Sequence, residues 1–260
     1  MCVEPIISVK DLKKHYGSKE VLKGISLDIY PGQLIGYIGP NGAGKSTTIK
    51  TFLGIIEDYE GEVKIFGENI SSDNKEYKRR IGYVPEVGEI YDNLTAREYL
   101  TFIGELYGLN YEIADKRSNK LMNIFGIGDN YDNRIASFSK GMRQKVMIIS
   151  SLLHDPDILF LDEPLSGLDA NSVIVMKEIL AQLIKEGKTI FYSSHIMDVV
   201  EKISNRIIVI NNGEVVADGS FEELKKQSEE GSLEKIFNDL TGFNSQEQLA
   251  KDFIATLKEV

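Results

Sequence analysis

The chain has 260 residues, 42% of them hydrophobic and 27% charged, and 40 acidic against 30 basic side chains leave a net charge of −10. That length suits one large α/β domain or two small ones with ample core, and the acidic balance argues against a chain whose main task is neutralising nucleic-acid phosphates. A single cysteine, Cys2, excludes an internal disulfide and fits a reducing compartment. No basic-then-apolar leader precedes it, and nowhere do about 18 apolar residues run together as a membrane-spanning helix requires.

In chain order, short β segments come first: "IISV" (6–9), "ISLDIY" (25–30) and "QLIGYIG" (33–39), separated by turn residues at 16–18 and 31–32. "GPNGAGKST" (39–47) follows the third segment and leads into a helix, which is the setting in which G-x-x-x-x-G-K-[ST] binds phosphate. The loop comprises Gly39, Pro40, Asn41, Gly42, Ala43, Gly44, Lys45, Ser46 and Thr47. Its small residues let backbone N–H groups wrap a β-phosphate, helped by the helix N-terminus. Lys45 reaches the β- and γ-phosphates, and the Ser46 hydroxyl suits Mg²⁺.

"GEVKIFGENI" (61–70) reads as a hairpin, "KEYKRR" (75–80) as a solvated basic face, and "IGYVPE" (81–86) as a strand running into proline. From about 90 to 153 the texture is helical. Thr95 and Glu98 make a capping box, with Tyr99, Phe102, Ile103 and Leu106 following at helical spacing. "KRSNKLMNIFGIG" ends a second helix at glycine, and a third follows "FSK". Strands return with "DILFLDEP" (157–164), then a helix over 171–186, then "TIFYSS" (189–194). "GKT" (187–189) has Gln182 where a phosphate loop needs its first glycine, so it is a helix stop. "IIVINNGEVVADG" (207–219) is a hairpin on an Asn-Gly turn. Amphipathic helices close the chain, one on Leu233, Ile236, Phe237 and Leu240, the other on Leu249, Phe253 and Leu257. Three widely spaced histidines and one cysteine lack the ligand spacing of a zinc site.

"ILFLDEP" (158–164) is an apolar strand ending in two adjacent carboxylates. Ligands of parallel sheets bind beyond the carboxyl ends of the strands. There Asp162 would hold Mg²⁺, mostly through water, and Glu163 would orient and deprotonate a water, a role worth about 10²–10⁴-fold. Together with the phosphate loop, the pair points to nucleotide hydrolysis. Taken alone, Tyr16 could be core or a stacking aromatic, His195 could be satisfied in a turn, and Ser139 could simply cap a helix.

With "FSKGM" (138–142), "LSGLD" (165–169) and His195 added in this order, the chain resembles the nucleotide-binding subunits of ATP-binding cassette (ABC) transporters over about residues 5–225. The resemblance implies an α/β fold: a P-loop NTPase (RecA-like) core with a mainly parallel sheet, an N-terminal antiparallel β subdomain and an inserted α-helical subdomain. It implies an ATPase domain over 1–220, with its core at about 1–86 and 154–220 and its insert at about 87–153, followed by a helical extension over 221–260. Tyr16 would then stack on adenine, and Glu86 would stand in the loop joining core and insert as a metal ligand. Ser139 and Gly141 would cap the ATP held by a second subunit, Asp169 would touch that subunit, and His195 would meet the γ-phosphate.

Two positions depart from the commonest family pattern. The signature is usually Leu-Ser-Gly-Gly-Gln, so Met142 replaces a glutamine, and the joining loop usually carries glutamine where this chain has Glu86. Both variants look similar to those of cassettes serving small exporters of the ABC-2 type. The implied function is ATP hydrolysis, with ATP and Mg²⁺, driving a separate membrane permease from the cytoplasmic face of the cell membrane. The subunit would be peripheral, paired with a second ATPase subunit and free of nucleic acid. A soluble ABC-type ATPase of an assembly system, such as iron–sulfur cluster assembly, is the other expectation.

Overall fold

The computed structural model describes residues 3–70, 75–227, 231–242 and 246–258; Cys2 and the side chain of Leu249 lie outside what is described. Among the described residues two sheets form. The first pairs β2 (Lys19–Ile29), β1 (Ile7–Tyr16), β4 (Glu60–Ile65) and β5 (Glu68–Asn69) in that order, all antiparallel. Sequence reading placed only 6–9 in the first strand. The strand runs on to Tyr16 because Asp11, at φ 48°, forms a bulge that interrupts the apolar alternation but not the pairing.

The second sheet has the order β10-β9-β3-β8-β7-β6, from β3 (Leu34–Ile38), β6 (Ile81–Val84), β7 (Ile158–Asp162), β8 (Thr189–Ser193), β9 (Arg206–Asn211) and β10 (Glu214–Gly219). All its pairings are parallel except the β9–β10 hairpin. The hairpin turns on Asn212 and Gly213, both at positive φ (48° and 84°), as the Asn-Gly pair requires.

Strand residues alternate between two cores, as the period of two dictates. Leu159 and Leu161, Ile190 and Tyr192, Ile207 and Val209 face one; Ile158 and Phe160, Phe191, Ile208 and Ile210 face the other. The second core also takes the first sheet and α1 (Lys45–Phe52). The first takes α2 (Ala96–Leu106), α3 (Tyr111–Ile124) and α4 (Lys140–Leu152), which lie between β6 and β7 in the chain, and α5 (Ala170–Lys185) and α6 (Met197–Ile203).

The capping box on α2 forms as expected, Thr95 and Glu98 each accepting from the other's backbone N–H. An Asn110 cap starts α3 earlier than its apolar spacing suggests. The basic run 75–80 stays mostly exposed, as a solvated face, though two of its side chains also make internal contacts. Lys78 Nζ donates to the Gly54 carbonyl, and Arg80 pairs with Asp157 while covering the Phe66 ring.

Of α7 (Phe221–Gln227), α8 (Leu233–Thr241) and α9 (Gln246–Lys258), the first two send Leu224, Leu233 and Ile236 into the first core. The Glu201 carboxylate of α6 accepts the Leu233 N–H at the start of α8. In α9, by contrast, Phe253, Ile254 and Leu257 are exposed.

Two braces hold the loop between β3 and α1 from behind. The Gly213 N–H donates to the Ala43 carbonyl, and a Cβ on Gly39 would overlap the Ile210 carbonyl. Beneath α1, the fully buried Phe52 packs on Phe160 and Phe191, ring centroids 6.0 and 5.8 Å away. Replacing Phe52 with alanine opens a cavity at this three-ring junction and should cost ~3–5 kcal/mol. Urea unfolding measures it, and a loss below about 1 kcal/mol would show that the junction is not what anchors α1.

Candidate active site

Parallel pairing brings three chain turns to one end of the second sheet: the loop after β3, the segment after β7 and the segment after β8. Between them and the first sheet lies a cleft of about 480 Å³, within the size range of small-molecule sites. Tyr16, Asn41, Gly42, Gly44, Lys45, Ser46, Thr47, Glu86, Asp162, Glu163 and His195 all line it. Gly39, Pro40 and the buried Ala43 form the stem and floor of the loop rather than the wall.

Gly44 stands at φ 109°, a backbone angle that side chains resist, and from this turn α1 starts at the cleft, which Lys45 and Ser46 line. The Lys45 ammonium folds back to donate to the carbonyls of Gly39 (2.6 Å) and Pro40 (3.2 Å). Burial pulls its pKa below the ordinary lysine value, while Asp162, Glu163 and Glu86 oppose that shift. A phosphate group offers this ammonium better partners than two carbonyls.

Asp162 ends β7 and is buried; its Oδ1 accepts the Ser193 hydroxyl, and its Oδ2 lies 3.5 Å from the Ser46 hydroxyl. Ser46 and Asp162 thus present hydroxyl and carboxylate oxygens side by side, the hard donor set that suits Mg²⁺. Glu86 lies on the same cleft wall, exposed.

Glu163 leaves the strand with φ 48°, a left-handed turn rare for a residue with a side chain. Its N–H donates to the Ser193 carbonyl. Its Oε2 accepts the Ser194 hydroxyl at 3.2 Å, and its Oε1 lies 3.6 Å from His195 Nε2. Burial raises the carboxyl's pKa, partly offset by His195 and Ser194, so the group is poised as a base stronger than an ordinary glutamate. His195 is exposed and therefore within reach of a bound ligand.

Tyr16 is half exposed, with the buried Lys14 ammonium 5.0 Å from its ring centroid and Asp58 3.0 Å from that ammonium. The ring is consequently a surface platform and not core. The serines at 193 and 194 were not singled out from sequence. Their place beside His195 is visible in the sequence, whereas the strand pairing that sets them against the two carboxylates is not.

Ser139 and Gly141 do not line this cleft. Ser139 caps α4, its Oγ accepting the Met142 N–H at 3.3 Å, and its hydroxyl proton remains available to donate. A Cβ on Gly141 would stand 2.6 Å from the Gly167 carbonyl, so glycine is required here by an internal contact as well. Lys145 pairs with Asp169 at 3.2 Å. Asp169 also caps α5 by accepting from Ser172, and these bonds hold its carboxyl well below the usual range.

The profile of a family described as "ABC transporter" matches residues 22–166. The ABC transporter ATP-binding protein NatA of Bacillus subtilis (strain 168) is 38% identical over 238 residues, covering 89% of this chain and 96% of that protein. The bacitracin transport ATP-binding protein BcrA of Bacillus licheniformis is 38% identical over 224 residues, covering 86% and 72%. A solved structure of the ATP binding subunit of an ABC transporter superposes with a TM-score of 0.85 at 32% identity, over 90% of this chain and 99% of that one.

Alanine favours helices over glycine by ~1 kcal/mol, yet Gly141→Ala should lower the melting temperature, because its Cβ must displace the loop carrying Gly167. A thermal melt that is unchanged or raised would show that the loop yields freely.

Proposed function

The chain belongs to the ABC transporter family, and from that premise we propose the roles its residues play as an ATP-binding and ATP-hydrolysing subunit of an exporter. The observation that carries the reading is the cleft in which Lys45, Ser46, Asp162, Glu163 and His195 converge. Relatives named for bacitracin transport, linearmycin resistance and Nod factor export favour export of a substrate over the assembly-system alternative.

Adenine stacks on Tyr16, and the phosphates lie along residues 39–47 with the Lys45 ammonium released from its carbonyls onto the β/γ-phosphate oxygens. Ser46 and Asp162 would hold Mg²⁺, which supplies charge neutralisation at the phosphate oxygens, with Glu86 beside them. Glu163 takes the proton of the attacking water through its carboxylate, and the new P–O bond forms as the bond to ADP breaks. His195, facing Glu163 and the cleft, donates to the γ-phosphate and fixes the water's position. Ser139 and Gly141, remote from this cleft, serve the ATP of a second subunit across a dimer. There the Ser139 hydroxyl and the first N–H groups of α4 meet the γ-phosphate. On this reading residues 1–220 form the ATPase domain and 221–260 an extension.

No described helix is long and apolar enough to cross a membrane; relatives named as ATP-binding proteins of transport systems support the reading that this subunit engages a separate permease peripherally from the cytoplasmic face. The docking surface we assign to it is a groove of about 700 Å³ beside α2, where Tyr91 and Phe102 are exposed in edge contact and Ile90 and Leu94 join the lining. An exposed apolar cluster of this kind marks an interaction site.

Glu163→Gln should abolish steady-state ATP turnover while equilibrium ATP binding persists; undiminished hydrolysis would remove Glu163 as the base. Phe102→Glu should leave the ATPase of the isolated chain intact but release the permease during purification from detergent-solubilised cells. Retention of the permease at full yield would move the docking surface elsewhere.

A further inference from the structure

We infer that Ser194 is a positioning residue for the reaction, its hydroxyl fixing which oxygen of the Glu163 carboxylate faces the attacking water. The inference deepens the proposed function and rests on it.

Glu163 is held at two levels by successive residues of one neighbouring strand end. At the backbone, its N–H donates to the Ser193 carbonyl, continuing the register in which Asp162 faces Ser193. At the side chain, the Ser194 Oγ–H donates to Oε2 at 3.2 Å. Ser194 is only 3% exposed, so water competes little for its proton, and the other side-chain group that meets its hydroxyl is the buried Tyr192 phenol. One of the two lone pairs of the Ser194 hydroxyl is also taken, because the Ile196 N–H donates to the same Oγ at 3.2 Å. A hydroxyl that accepts from one fixed backbone N–H and has a single proton to give is oriented, not free to rotate.

The two carboxylate oxygens are thereby made unequal. Oε2 is committed to Ser194, and Oε1 is left on the His195 side, 3.6 Å from Nε2 and towards the cleft. A glutamate has three side-chain torsions, and this one also departs from a left-handed backbone turn, so nothing in its own chain selects that arrangement. Without the Ser194 hydroxyl the carboxylate keeps its place in the chain and its interaction with the His195 backbone N–H but loses the side-chain bond that holds Oε2, and an ångström of misplacement at a base costs rate far more than affinity. The same hydroxyl ties the turn bearing His195 to the base through Ile196.

The test compares the full wild-type chain with Ser194→Ala and Ser194→Thr in steady-state ATP hydrolysis, together with nucleotide binding and thermal melting for each. The expected result is a fall in kcat of about 10–100-fold for Ser194→Ala, the range for a lost hydrogen bond to a charged group. KM and ATP affinity should stay within about two-fold of wild type, and Ser194→Thr, which keeps the hydroxyl, should recover most of kcat. A Ser194→Ala chain with wild-type kcat overturns the inference alone, leaving the proposed function standing. So does loss of activity shared by Ser194→Thr, since a packing role, unlike a hydroxyl role, is not rescued by threonine. A wild-type chain without any ATP turnover would overturn the proposed function and this inference with it.

Discussion

Everything at the site depends on the parallel pairing of β7 with β8, in register from Ile158 opposite Thr189 to Asp162 opposite Ser193. That ladder sets one buried and one partly buried carboxylate against two serine hydroxyls at the edge of water. A carboxylate taken out of water must be given hydrogen bonds or it protonates. Ser193 supplies Asp162, and Ser194 with His195 supplies Glu163. A slip of one residue along this pair would turn every inward side chain to the opposite core, exchanging Phe160 with Leu159 and Leu161. The two distinct cores on either side therefore hold the chemical register as firmly as the hydrogen bonds do.

How much of this could be read before folding depended on how local each signal is. The phosphate loop, the Asp162–Glu163 strand end, the Thr95 capping box and the Asn212–Gly213 turn are each encoded within a few residues, and each lies where its chemistry predicted. What could not be read are contacts between segments far apart in the chain. Nothing around Gly141 announces that Gly167 needs its missing side chain. Nothing near Ser194 says that a carboxylate 31 residues earlier will lie within 3.2 Å. The order in which β8 enters between β3 and β7 is likewise a property of the whole sheet. Even the reach of β1 was hidden, since the bulge at Asp11 breaks the alternation from which strands are recognised.

The two departures from the usual family pattern have different physical standings. Met142 is partly buried and packs against the first core, so this side chain adds to the anchoring of α4, while only its backbone N–H serves the Ser139 cap. Glu86 keeps its place on the cleft wall and changes the charge there, adding a third carboxylate within reach of Lys45. The first substitution trades a polar contact for packing; the second alters the field in which a triphosphate must be held.

The β9–β10 hairpin carries none of the chemistry, yet its turn holds the phosphate loop through the bond from Gly213 to Ala43 and the close fit of Gly39 on Ile210. Seen from the ribosome, this places a delay between motif and function. The loop's residues emerge early, but the brace that shapes them is made roughly 170 residues later, on the order of 10–30 s of synthesis. For that interval a nascent chain carries the letters of a nucleotide site without its cradle. The strands translated last thus complete the support of a loop translated among the first.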